Sequence, residues 1–475
     1  MSTSGLKGLV AAVLVLAIGL LGACSSGGGG DLAGGGISGT GVYNGVITSF
    51  GSVFVNGVEF DTTGASITAN DAVATEGDLE VGMKVRVEAE GTTARSVAFD
   101  PEVIGPVESI DTVNDRIVVL GQTVQIEGTT VLRGFGGILD LAAGDVVVVS
   151  GFFDAEGVIR AVYVELKPAA SVVEVKGSVS NLDDVLRIFT INGLSVDYSG
   201  MAEPPALQNG DFVEARGTLS SGTLVATHVE VEDPVGTALP GSEMGVEGIV
   251  TSFTSAYDFE VNGLKVRTTE STVYENGRQG DVGLNVLVNV EGTVGDDGVL
   301  IAEKVEFLSN EETAVGIEGA VEGVDAQNFT LTVFGIVITV NSSTVFNDES
   351  PAGLRSFSLG DLSAGDVVEI GGFVDGGRVV AVKVERMDPA ESEFSLRGPV
   401  DAGSETATSF SILGVQVDVS GSGVSFEDEY GNAITALDFF NTIDDTKDPG
   451  DIVEADGLYQ GGLFIADEVE IERIN

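Results

Sequence analysis

The chain repeats itself six times, and that period confines it to a tandem architecture. The first landmark is Gly-x-Val: Gly45 (with Val46 shifted by one), Gly105, Gly177, Gly248, Gly319 and Gly398. The glycine spacings are 60, 72, 71, 71 and 79 residues. A second landmark is an apolar run, a Gly turn and another run, as in Val53-Phe54-Val55-Asn56-Gly57-Val58 and Phe189-Thr190-Ile191-Asn192-Gly193-Leu194. The third is Gly-Asp-x-Val or a near variant, at Gly82, Gly144, Gly210, Gly283, Gly365 and Gly450. The last is Ala-x-x-Val-Glu, from Ala161, Ala226, Ala302, Ala381 and Ala466; the first copy departs from it at Ala94 to Ala98.

These landmarks predict strands. Asn-Gly between alternating runs is a hairpin signal, because type I′ turns need positive φ at both central residues. In the third copy Phe189, Ile191, Leu194, Val196 and Tyr198 share one face, and Thr190, Ser195 and Asp197 share the other. Each unit therefore reads as a strand, a hairpin, a variable connection and a second hairpin. Only the variable connection has room for a helical turn, and in the last copy Ile434 to Phe440 suits one. Closing the sheet into a barrel would remove exposed edges. The expected fold is all-β: six small five-stranded antiparallel barrels over 42–103, 104–168, 172–234, 244–309, 315–388 and 393–475. Six globules of about 70 residues in file would reach on the order of 150 Å if their linkers are stiff.

The N-terminus has a different character. Lys7 precedes an uncharged run from Leu9 to Leu21, too short to span a membrane and fitting a signal peptide. The run ends in Leu21-Gly22-Ala23-Cys24, which holds the only cysteine. This arrangement resembles a bacterial lipobox. The resemblance implies cleavage after residue 23, a lipid on Cys24, and attachment to the membrane through that lipid. In lipoproteins of this kind the residue after the cysteine sorts the protein, and Ser25 leans towards the outer membrane. Residues 24–41, rich in Ser and Gly, read as a flexible linker.

Charge narrows the partners. The chain carries 74 Asp and Glu against 22 Lys and Arg, a formal charge of −52. Nucleic-acid binding works by neutralising phosphates with Lys and Arg, so this balance argues against it. An acidic coat keeps a protein soluble; it also leaves weak binding of divalent cations, or of a basic partner, open.

The repeated pattern resembles an uncharacterised domain family of Gram-negative envelope lipoproteins, a domain of unknown function often found in tandem. It also resembles bacterial OB-fold modules, with the variable connection where an OB-fold carries its helix. The resemblance covers about residues 42–475 and rests on structural glycines and apolar strand positions. It carries over no catalytic residue. OB-folds often bind oligonucleotides or oligosaccharides.

The residues offer little chemistry. His228, the only histidine, sits in Ala226-Thr227-His228-Val229-Glu230 and reads as a solvent-facing strand residue. No second histidine exists for a His-based zinc site, and no Gly-x-Ser-x-Gly nucleophile elbow is present. The acidic run Asp444-Asp445-Thr446-Lys447-Asp448-Pro449-Gly450-Asp451 lacks EF-hand spacing and reads as a solvated loop. Each Gly-Asp reads as a turn whose Asp bonds local amides. No catalytic residue, metal site or cofactor is expected. The expected function is a non-catalytic, lipid-anchored envelope protein acting as display, spacer or binding array. The alternative is a periplasmic accessory protein recognising a glycan or a protein partner through OB-like clefts.

Overall fold

The computed structural model describes residues 40–168, 172–236, 238–309, 314–389, 394–443, 446–447 and 449–473. The signal peptide with Leu21, Gly22, Ala23 and Cys24, nearly all of the linker, and Asp444, Asp445 and Asp448 lie outside the described residues.

Unit 2 shows the common plan. Its strands are Val103–Asp111, Arg116–Val119, Gln122–Gln125, Val146–Phe153 and Ile159–Lys167. The first pairs with the second, the second with the third, the fourth with the fifth and the fourth with the first, all antiparallel. The third closes on the fifth in parallel, Val124 opposite Ile159. The ring runs 1-2-3-5-4-1 and has no free edge. The all-β barrel expected from the sequence is present, with one parallel closure that hydrophobic alternation does not encode. In five units the variable connection carries a short strand laid parallel to the closing strand, such as Val131–Arg133. In the last unit it also carries the helix Ala436–Thr442, capped by the Thr435 side chain.

The landmarks acquire physical reasons. The Asn192-Gly193 turn has φ of 45° and 91°, as a type I′ hairpin requires. All five residues assigned to the inner face of that hairpin are buried, with Phe189 and Val196 at 1 % and 0 % exposure. The Gly-x-Val glycine leaves space for the turn that folds over it. A Cβ on Gly248 would lie 2.0 Å from Asn262 Nδ2, and one on Gly319 would lie 2.4 Å from the Phe334 ring. The spacing of Ala-x-x-Val-Glu follows from a bulge. Gly217 opposes Ala226 and Arg216 opposes His228, so Thr227 is the extra residue. That insertion turns Ala226 and Val229 to the same inner face despite their odd spacing, and both are buried. The Gly-Asp turns of units 2, 3 and 5 behave as expected: Asp145 accepts from the Ala142 amide at 2.8 Å, Asp211 from the Gln208 amide at 2.8 Å and Asp366 from the Ser363 amide at 2.9 Å.

The units do not stand in file. Units 2 and 3 join their opening strands antiparallel, Val103 opposite Val175. Units 5 and 6 do the same, Ile317 opposite Leu396. The opening strand of unit 1 bypasses units 2 and 3 and pairs in parallel with that of unit 4, from Gly41 opposite Glu243 to Asn44 opposite Val246. Further contacts tie distant units. The Arg355 guanidinium of unit 5 lies 3.9 Å from the Phe50 ring centroid of unit 1 and donates to the Leu79 carbonyl at 2.8 Å. Arg133 of unit 2 reaches Glu349 of unit 5 at 2.9 Å. Asn285 of unit 4 receives the Ala155 amide of unit 2 at 2.9 Å. The extended file of barrels is thereby replaced by a folded-back cluster. The reason is that the outer faces are not purely solvating: they carry apolar and charged groups that find partners on other units. Ile104, Val148, Phe152 and Tyr163 of unit 2 and Ile249 of unit 4 are packed into the core of unit 1.

Candidate site where four units meet

Among the described residues, units 1 to 4 enclose a cavity of about 730 Å³, a size common for small-molecule sites. Each unit contributes a different element. Unit 1 supplies Asn44 from its opening strand Thr40–Ser49 and Lys84 to Arg86 from its fourth strand. Unit 2 supplies the hairpin tip Asp154 to Gly157; unit 3 supplies Lys176 to Ser178 and the turn residue Asn192; unit 4 supplies the turn Asn262-Gly263. The segment Glu232 to Pro234 closes one side.

Cations are few in this chain, and several converge here. Glu102, between units 1 and 2, is almost fully buried. It pairs with Lys84, and its Oε2 accepts the Gly151 amide at 2.7 Å. Lys84 Nζ also donates to the Gly151 carbonyl at 3.1 Å. Lys176 is buried, 3.0 Å from Glu232 and 3.6 Å from Glu214. Burial opposes its charge, but the surrounding carboxylates outweigh burial and raise its pKa. Burial pushes the Asp100 carboxyl up, with Lys176 pulling the other way. Such paired cations fix neighbouring barrels and leave an acidic, partly apolar wall facing the cavity.

A second charged junction borders the first. Arg216 of unit 3 donates from Nε to Glu174 at 2.9 Å, from Nη2 to Glu214 at 2.7 Å and from Nη1 to Asp71 of unit 1 at 3.1 Å. Burial raises Glu174 to about 8, with Glu214 adding to the rise and Arg216 opposing it. His228 stands opposite Arg216 on the closing strand Thr223–Val231. It was expected to face solvent as a plain strand residue; it is instead half-buried, and brought next to Asp71 and Glu214. The lack of a second histidine argues against zinc sites built from several histidines, not against one imidazole with two carboxylates. The acidic run of unit 6 is described only in part, and its last residue departs from the solvated loop expected: Asp451 is fully buried and pairs with Lys447 at 3.2 Å.

Sequence reasoning missed Lys84, Lys176, Glu102 and Arg216 as a group, although a signal exists. The residue before each Gly-x-Val glycine changes character from copy to copy: Asn44, Ile104, Lys176, Glu247, Glu318 and Arg397. The x of Gly-Asp-x-Val does the same, as Lys84, Phe212 and Asn285. The repeated positions build the barrel. These variable ones face outward and meet another unit.

No curated protein matches the chain. A family model does match, over residues 104–165, 176–230, 247–306, 318–385 and 397–470. The first barrel lies outside the matched stretches yet closes by the same pairings. With most of its length covered by five tandem matches, the chain belongs to the family described as a domain of unknown function, DUF5666.

Proposed function

We propose that this chain is a lipid-anchored, non-catalytic envelope protein that binds a glycan or a short protein segment in the cavity shared by units 1 to 4. The observation that carries the proposal is the cavity itself, walled by side chains from four units. A composite pocket of that kind favours binding over spacing, and a single shared site over avidity from six equal ones. The strand order 1-2-3-5-4-1 supports an OB-type barrel, and such barrels often bind oligosaccharides. The charge of −52 speaks against a nucleic-acid ligand. The cavity's two lysines, Lys84 and Lys176, are engaged with carboxylates, which suits a structural role better than acid-base work.

The anchor rests on Leu21-Gly22-Ala23-Cys24, and the outer membrane on Ser25. Two experiments test the proposal. Glycan-array and crosslinking assays on the full chain should give a ligand whose binding falls at least about tenfold in Arg86→Gln or Glu260→Gln. A ligand indifferent to both changes would place binding elsewhere. Separately, Cys24→Ala should release folded protein from the membrane fraction; retention there would remove the anchor.

A further inference from the structure

The sole histidine is surrounded by ligands from two units. His228 and Glu214 project from neighbouring strands of unit 3. Asp71 comes from unit 1, in the tight turn between Ser66–Ala69 and Ala72–Ala74, where its φ is 57°. One donor atom from each of the three lies within 4.8 Å of the others. Glu214 is buried, His228 half-buried and Asp71 exposed, so the group opens to solvent on the Asp71 side.

Two further observations point to a missing ligand. His228 Nε2 is shut off from water and has no hydrogen-bond partner; Glu230 Oε2, at 3.4 Å, stands outside hydrogen-bonding geometry. Two atoms of the same junction share that condition, Asn70 Oδ1 and Glu174 Oε1. Buried polar atoms without partners are rare, and each calls for a water or an ion. The charge is also unbalanced. Among the described residues, Asp71, Asp100, Glu174, Glu214 and Glu232 share two cations, Arg216 and Lys176, and Glu230 lies beside His228. Arg216 does not exclude a cation, because each carboxylate has about four lone-pair sites and can serve a guanidinium and an ion together. It holds Asp71 and Glu214 in place, as outer-shell groups orient metal ligands.

We propose that Asp71, Glu214 and His228 bind one divalent transition-metal ion of the zinc class, joining unit 1 to unit 3. One imidazole with two carboxylates is a zinc-type ligand set that keeps a position open for water. Hard cations such as Ca²⁺ and Mg²⁺ prefer all-oxygen sites and gain nothing from His228. The site is independent of the cavity ligand.

Because His228 is the only histidine, imidazole NMR of the full chain gives one reporter at the site. Addition of Zn²⁺ alone should shift that signal at one equivalent, while Ca²⁺ and Mg²⁺ leave it in place. Calorimetric titration should show the tight Zn²⁺ event weakened at least about tenfold in His228→Gln and in Asp71→Asn. Asp71 is exposed and His228 only part-buried, and a cooperative melt of each variant checks its folding. Zn²⁺ binding of equal strength in both folded variants, or a histidine signal unmoved by excess Zn²⁺, overturns the proposal.

Discussion

The junction between units 2 and 3 and the junction between units 1 and 4 solve one problem in opposite ways. Units 2 and 3 are consecutive; their opening strands pair antiparallel, and their interiors merge into one apolar cluster from Val103 to Val229. Units 1 and 4 are separated by two whole barrels; their opening strands pair in parallel, and their cores remain largely distinct. Parallel strands need a long crossover, and here units 2 and 3 provide it. A buried carboxylate reinforces the join: Glu247 Oε2 accepts the Val46 amide at 2.9 Å. Neighbours in sequence can share a core, whereas units remote in sequence are held by a strand pairing, a few buried polar contacts and single apolar side chains such as Ile249.

The largest effect should come from shape. If the remote junctions hold, small-angle scattering of the mature chain should give a radius of gyration near that of a compact body of about 430 residues, roughly 22 Å. A rod-like profile would break the comparison at once. Next comes the shared core. Phe189→Ala should cost about 3–5 kcal/mol, and hydrogen exchange should show units 2 and 3 losing protection together. Loss confined to unit 3 would mean that their cores are not coupled.

The junction of units 1 and 4 should be more selective. Glu247→Ala removes the acceptor of a buried amide and should cost about 1–3 kcal/mol. The Val46 amide should then exchange faster, with units 5 and 6 unchanged. Glu247→Gln keeps an acceptor and should be milder.

The same carboxylate can also be tested through pH. Burial raises Glu247 to about 7 from 4.5, so between these values the folded chain binds more protons than the unfolded one. Its contribution to stability is greatest below pH 4.5 and is lost as pH rises through 7, with a slope of at most about 1.4 kcal/mol per pH unit. Glu174, raised to about 8, adds a fall of the same sign at the other junction. Denaturant melts from pH 5 to 8 should therefore show a decline that Glu247→Gln flattens in part. An unchanged slope would mean that Glu247 is not desolvated.

Much of the barrel was legible because local physics writes it. Asn192-Gly193 specifies a turn by its backbone freedom, and Phe189 to Tyr198 alternate because one face is buried. The helical turn expected near Ile434 to Phe440 forms over Ala436–Thr442, after the Thr435 cap. The site was not legible. Asp71, Glu214 and His228 span two units, and no spacing rule joins a turn of one barrel to the strands of another. Lys84 and Lys176 occupy variable positions beside the repeated glycines, and a search for what recurs passes over them.

By itself, then, the sequence determined six five-stranded all-β units, because strand alternation and turn glycines are short-range demands. Only the tertiary structure decided that the barrels fold back, that unit 1 joins unit 4, and that the single histidine meets two carboxylates. Those contacts depend on the outer faces of barrels far apart along the chain. There a charge has no preferred partner until burial and geometry select one.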